Sequence, residues 1–260
     1  MGTKASITVA IHGIASDVID PSLKERGFRK TRMNWHRPRP VGKAVSVQSS
    51  MFNSGASGRF TIELGFVYPE LGEADPERWD AYHCPHRLRV SDLLGPTDKW
   101  WEFTRADDPV ERAQVERDLS ERWNGVVLPF IDACEEPHVY LANRLDHIGS
   151  PLLEAARLAA ALGDVATNRL AIDRYLERLR REPAVVVDAL DSNDEARALA
   201  HGYALVIPVL EAAGRRLDPA DASRAHAAMD AEARAVSGGA QPIVQPDRLD
   251  ELRRHLRTIR

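Results

Sequence analysis

The side chains in this chain whose types could support chemistry are few and scattered. His83-Cys84-Pro85-His86 places two imidazoles and a thiol within four positions, with Asp80 close by. One tight cluster does not fill a zinc tetrahedron, whose ligands come from separated pairs, so no metal site is expected. A Cys84 nucleophile beside His83 or His86 would need a lowered thiol pKa and an oxyanion-binding group, and the sequence displays neither. The most enzyme-like set is His86 or His36 as general base, Glu63 as acid or orienting carboxylate, and Arg89 for an anionic group, in the manner of a hydrolase or transferase. No Walker loop, dinucleotide fingerprint, HExxH, CxxC pair or nucleophile elbow is present, so no cofactor is expected and no catalytic residue is assigned.

A second kind of chemistry is suggested by charge. Arg26, Arg29, Lys30, Arg32, Arg37, Arg39, Lys43 and Arg59 lie in a stretch with no acid, interleaved with Phe28 and Trp35. Guanidinium groups bind phosphates and aromatic faces stack on bases, so this stretch is the best nucleic-acid signal in the chain. Such a run is more often a solvated edge strand, and the net charge of −4 disfavours phosphate binding. Acids at Glu70, Glu73, Asp75, Glu77 and Asp80 read as an opposing solvated loop.

The elements that must position these groups follow from periodicity. The chain has 260 residues, 43% hydrophobic and 28% charged, enough for one large or two modest domains. Ile7, Ile11, Ile14 and Val18 form one stripe of an amphipathic helix, Asp20-Pro21 restarts a short turn through Leu23, and Gly27 ends it. Phe60, Ile62, Leu64, Phe66 and Tyr68 alternate with Thr61, Glu63, Gly65 and Val67 as a half-buried strand. Val45, Val47 and Met51 begin the same pattern one strand earlier, residues 53–58 make the hairpin loop, and a shorter strand runs near Met33, Trp35 and Arg37. Residues 69–106 read as loop, with a short strand within Arg87 to Leu93.

Asp108-Pro109 opens a helix in which Val115, Leu119, Trp123, Val126, Phe130 and Cys134 share a face, bent near Gly125 and Pro129. Of sixteen aromatic residues only Tyr175 and Tyr203 follow Ser150, where alanine dominates. A join near Gly149 is expected, separating an α+β domain over 1–149 from an Ala/Arg-rich helical bundle over 150–260. Helices there are expected near 151–162, 165–182, 194–213, 219–236 and 247–259. The fold class is therefore α+β: an N-terminal antiparallel sheet packed with helices, then an all-α C-terminal region.

On the sheet, the strand face opposite the apolar one carries Asn34, His36, Ser46, Gln48, Ser50, Thr61 and Glu63. This is the solvated side of an antiparallel sheet, or a surface that orients a peptide or small ligand. Of the adjacent indoles Trp100 and Trp101, one is expected to anchor in the core and the other to face a groove.

The order of short motifs carries more. Gly27-Phe28-Arg29-Lys30, Trp35-His36, Val47-Gln48-Ser49-Ser50, Leu64-Gly65, Cys84-Pro85-His86-Arg87-Leu88-Arg89 and Trp100-Trp101 together resemble the domain of unknown function 4304 family over about residues 5–145. Family positions fall on Gly27, Phe28, Gln48, Ser50, His86, Arg89, Trp100 and Trp101. Glu63 stands where the family pattern has asparagine before leucine-glycine, so a site built on that amide does not carry over. The resemblance implies a bacterial protein and brings no activity or cofactor.

The expected binding set is His36, Gln48, Ser50, Glu63, His86, Arg89 and Trp101, on a non-enzymatic module that recognises a protein or peptide partner, with an immunity or defence role a loose association. Two well-separated cysteines, Cys84 and Cys134, fit a reducing, cytoplasmic setting. The apolar stretch Ile7 to Ile19 is broken by His12, Gly13, Ser16 and Asp17, so no membrane partner is expected. Met1-Gly2 with Ser6 matches the loose myristoylation pattern without a polybasic second signal.

Overall fold

The computed structural model describes residues 7–55, 57–95, 99–147, 150–183 and 195–257. Gly2 and the join expected at Gly149 lie outside them. By its internal contacts the chain forms two units, Met1–Val139 and Tyr140–Arg260.

The first apolar stripe forms helix α1 (Ile7–Glu25). Ile7, Ile11 and Ile14 are buried as their spacing requires, but the stripe then passes to Ile19 and Leu23, leaving Val18 half-buried. The expected restart at Asp20-Pro21 does not occur. The helix runs through Pro21, forgoing one backbone hydrogen bond, and full burial of Ile19 and Leu23 offsets that loss.

A six-stranded antiparallel sheet follows: β1 (Arg29–Thr31), β2 (Asn34–Arg37), β3 (Gly42–Ser49), β4 (Gly58–Val67), β5 (His86–Arg89) and β6 (Trp101–Phe103). The order is β1-β2-β3-β4-β5, with β6 also on β4. Since β3 pairs with residues 60–67 of β4, β5 and β6 share its other edge, against 63–66 and 58–60. The short strand expected within Arg87 to Leu93 is thus His86–Arg89, and residues 91–94 turn into a short helix α2 (Ser91–Leu94). Met51 is not part of β3. It lies in the hairpin turn and is exposed.

Trp35, Val45, Phe60, Ile62, Leu64, Leu88, Trp101 and Phe103 make the apolar face, all buried. The opposite face is not simply solvated: Thr61, Gly65 and Val67 are buried as fully as their neighbours. Residues 79–84 fold over it as a roof. Trp79, Cys84, Ala44 and Val67 form a small apolar cluster there, and the Ala81 N–H donates to Ser46 Oγ at 2.9 Å. Gly65 is the contact point: a Cβ at that position would sit 2.6 Å from Cys84 Sγ and 2.9 Å from the Ala81 Cα. Gly65→Val should therefore destabilise the N-terminal unit by about 1–3 kcal/mol. The expected observation is a lower urea midpoint at unchanged slope; an unchanged midpoint would show the roof to be loose.

Asp108 caps α3 (Pro109–Arg122) by accepting from the Val110 N–H at 2.9 Å. Where Gly125 and Pro129 suggested a bend, the ladder switches to a π turn over Trp123–Val127 before α4 (Leu128–Ala133). The wider turn shifts the buried face by one residue, so Val127, Leu128 and Ile131 are buried, while Val126 is exposed and Phe130 only half-buried, contrary to the 3.6-residue extrapolation. Cys134 is core, as expected.

Helix α5 (Pro137–Leu145) carries the chain across the division between the two units. Every element described beyond it is helical: α6 (Ser150–Ala161), α7 (Val165–Arg181), α8 (Glu195–Ala212), α9 (Pro219–Ser237) and α10 (Pro246–Leu256). The C-terminal unit is organised by buried carboxylates as well as apolar packing. Asp221 meets Arg180 and Tyr203, and Glu232 meets Arg197 and the backbone of Ile243.

Candidate functional site

Strand register decides which polar residues can act together. Thr31, Asn34, Ser46, Glu63 and Arg89 lie opposite one another across the sheet, and Arg29, His36, Ala44, Gly65 and Arg87 form the neighbouring row on the same face. The roof covers the middle of the second row, His36, Ala44 and Gly65, and leaves Arg29 and Arg87 at its ends exposed. His36 stacks under Trp79 with ring centroids 5.9 Å apart, and burial, then the neighbouring Arg29, push its imidazole below its ordinary pKa. Its charged form is disfavoured there, under an indole.

Beyond the roof, three of the expected residues come together. Arg89 Nη2 lies 3.4 Å from both Glu63 Oε1 and Gln48 Oε1. Trp100 completes the group: the guanidinium carbons of Arg59 and Arg89 lie 4.7 Å and 5.5 Å from its ring centroid. Contacts of this kind hold a cation in place over the ring face. The hairpin then continues from the Gln48 end of β3 into Met51 and Phe52, which are 88% and 80% exposed. Ser50 shapes that turn, its Oγ accepting from the Phe52 N–H at 3.2 Å.

His86 and Trp101 lie elsewhere. His86 pairs across from Phe66 on the apolar face, is buried, and has Nε2 2.5 Å from Glu73 Oε1 and its ring against Tyr68. Trp101 is stacked on Phe60, with Nε1–H donating to Asp118 Oδ2 at 2.9 Å. Residues two apart on a strand share a face and residues three apart do not, so the expected set of His86, Arg89 and Glu63 is split across the sheet. The tryptophan pair behaves as the alternation requires, with the indoles exchanged relative to the binding set: Trp101 anchors and Trp100 faces the polar side. Phe52 was missed because a hairpin tip has no periodicity to reveal it.

The remaining candidates are also dispersed. Cys84 is buried against Gly65, and burial pushes its thiol up to about 12, opposite to what a nucleophile needs. His83 Nδ1 sits 2.6 Å from Asp80, which also caps the turn at Ala81–His83. Among the described residues no three metal-ligating side chains converge. In the basic stretch, Arg26 meets Asp132, Lys30 meets Asp20, Arg37 and Lys43 meet Glu135, Arg39 meets Asp75 and Arg59 meets Glu102. Register places Arg29 on the roofed face and Lys30, Arg37 and Lys43 on the apolar one, so the stretch does not form one cationic surface. No described helix is long and apolar enough to cross a membrane.

What this geometry offers is a surface with an aromatic platform, cations seated on it, an acceptor pair and an apolar tip. No curated protein and no solved structure matches the chain. A family does match, over a stretch holding all six strands together with Gln48, Glu63, Arg89 and Trp100: residues 19–133 are similar to the family described as Domain of unknown function (DUF4304), and the N-terminal unit of this chain carries that resemblance.

Proposed function

We propose that the protein is a non-enzymatic recognition module whose N-terminal unit binds a protein or peptide partner through Gln48, Glu63, Arg89 and Trp100 together with the Met51-Phe52 tip. The observation that carries this reading is the tip. A thioether and a phenyl ring side by side, almost fully in water at the end of a polar face, make the arrangement of an interface anchor beside a polar rim. Catalysis receives less support, since His86 is buried on the opposite face from Arg89 and Glu63. The two free, buried cysteines are consistent with a reducing compartment, which we take as the cytoplasm.

Site-specific photo-crosslinking tests the proposal. A photoreactive residue at Phe52 or Gln48 of the full chain is expected to give a discrete crosslinked band in cells, whereas one at Val165, an exposed position of α7, is not. Phe52→Ser, with the photoreactive residue at Gln48, should remove the band while changing stability by no more than about 0.5 kcal/mol. Bands of equal strength from all three positions, or none from Phe52 and Gln48, would overturn the reading.

A further inference from the structure

The polar face carries a pattern that goes beyond its general suitability for a partner. Three arginines on it are layered with aromatic rings: Arg59 and Arg89 both on Trp100, at 4.7 Å and 5.5 Å, and Arg87 on Tyr82, at 4.8 Å. Arg87 and Arg89 are alternate residues of β5, so their side chains leave the sheet on the same side, about 6.6 Å apart. Arg59 extends the series on β4, beside β6. Tyr82 is 67% exposed and Arg87 is exposed, so this ladder of cation and ring reaches the surface along the β5–β6 edge of the sheet.

We propose that this ladder seats an extended acidic segment of the partner, with carboxylates at alternate positions, an assignment that rests on the recognition reading above. Two features favour it. First, the spacing is commensurate: an extended chain repeats its side chains on one face every second residue, the same period at which β5 presents Arg87 and Arg89. Second, the charge is mixed. Glu63 lies 3.4 Å from Arg89 and Glu102 lies 3.5 Å from Arg59, so carboxylates alternate with the guanidinium groups on this face. A peptide can set a backbone N–H, a hydroxyl or a lysine opposite Glu63 and Glu102 and a carboxylate opposite each arginine. A nucleic acid carries a negative charge at every repeat and meets both acids as repulsions. Gln48 adds an amide able to donate to and accept from a peptide backbone.

Display selection on the immobilised full chain tests this assignment. From a library of random dodecapeptides, the recovered sequences are expected to be enriched in Asp and Glu about twofold or more, at alternate positions. A synthetic peptide of that sequence should bind Arg87→Glu/Arg89→Glu about tenfold more weakly than the unmodified chain, and Arg87→Glu, an exposed single change, should weaken it in the same direction. Recovery of peptides without acidic enrichment, yet lost on Gln48→Arg, would overturn the acidic assignment and leave recognition by this face standing. Capture indifferent to every substitution on the face would overturn both. Displacement of the acidic peptide by a dT12 oligonucleotide at lower concentration than by the free peptide would assign the ladder to nucleic acid and overturn the proposal.

Discussion

Asp221→Ala should lower the stability of the C-terminal unit by about 3 kcal/mol, the lower end of the range for breaking a buried ion pair. The Asp221 side chain is 1% exposed and accepts from Arg180 Nε at 3.0 Å, from a second Arg180 nitrogen and from the Tyr203 hydroxyl at 3.0 Å. Its own N–H completes the cap of α9 by donating to Asp218 Oδ1 at 2.8 Å. Removing the carboxylate strands a fully buried tyrosine hydroxyl, whereas Arg180 keeps Asp218 and partial access to water, which is why the lower end applies. Far-UV circular dichroism is the deciding readout. All five tryptophans, Trp35, Trp79, Trp100, Trp101 and Trp123, lie before residue 139, so their fluorescence follows the other unit. An unchanged dichroism midpoint would show the Arg180–Asp221–Tyr203 cluster to be energetically idle.

The same cluster sets an acid limit. Burial works to raise the Asp221 and Glu232 carboxyls, but hydrogen bonds from Arg180 and Tyr203 to the first, and from Arg197 and two backbone N–H groups to the second, hold both below the ordinary range. A folded pKa below the unfolded value means stability that is fully present above the unfolded pKa, about 4, and lost as pH falls through the folded one. Helical stability should therefore be level between about pH 7 and pH 5 and fall below about pH 4, with a shallower fall in Asp221→Ala.

Much of this organisation was legible in the sequence, and the places where it was not have identifiable causes. The alternation from Phe60 to Phe66 specified β4 because Phe60, Ile62, Leu64 and Phe66, all on one face, are all buried. The edge strand β1 went unseen: Arg29-Lys30-Thr31 is exposed at all three positions and has no apolar period to announce it. The roof was invisible for a different reason, since prolines and acids over residues 69–85 read as loop and say nothing about where a loop lies. Its footprint was nevertheless written in β3 and β4, where Ala44, Gly65 and Val67 interrupt an otherwise polar face. The site divided in the same way. Gln48 and Glu63 were placed by strand parity, but Arg89 and His86 were taken together from one motif, and three positions along a strand is the opposite face. Lys43 shows the limit most plainly: a lysine in a hairpin strand reads as solvated, and only the tertiary position of Glu135 makes it core.

That lysine supports the second large effect, expected for Glu135→Ala. Lys43 points into the apolar face of the sheet with its side chain 2% exposed, and Nζ donates to Glu135 Oε1 at 2.8 Å and to the Ile131 carbonyl. Burial lowers its pKa, opposed chiefly by Glu135, and removing that carboxylate leaves an ammonium whose remaining acceptor is one backbone oxygen. The loss should be about 3–5 kcal/mol, read from tryptophan fluorescence in urea. Lys43→Met, of similar length and apolar, should cost at least 2 kcal/mol less, roughly, because Glu135 is 38% exposed and keeps Arg37. The pH dependence separates this from a packing defect. A lysine whose folded pKa lies below its unfolded value near 10.4 is a burden while protonated, and the burden lifts as pH rises through the folded pKa toward the unfolded one. Glu135→Ala should accordingly regain stability, relative to the unmodified chain, between neutral pH and about pH 10, and the double variant Lys43→Met/Glu135→Ala should show no such recovery. Equal losses for the two single variants, or an alkaline recovery that survives Lys43→Met, would mean that the buried ammonium is not the origin of the effect.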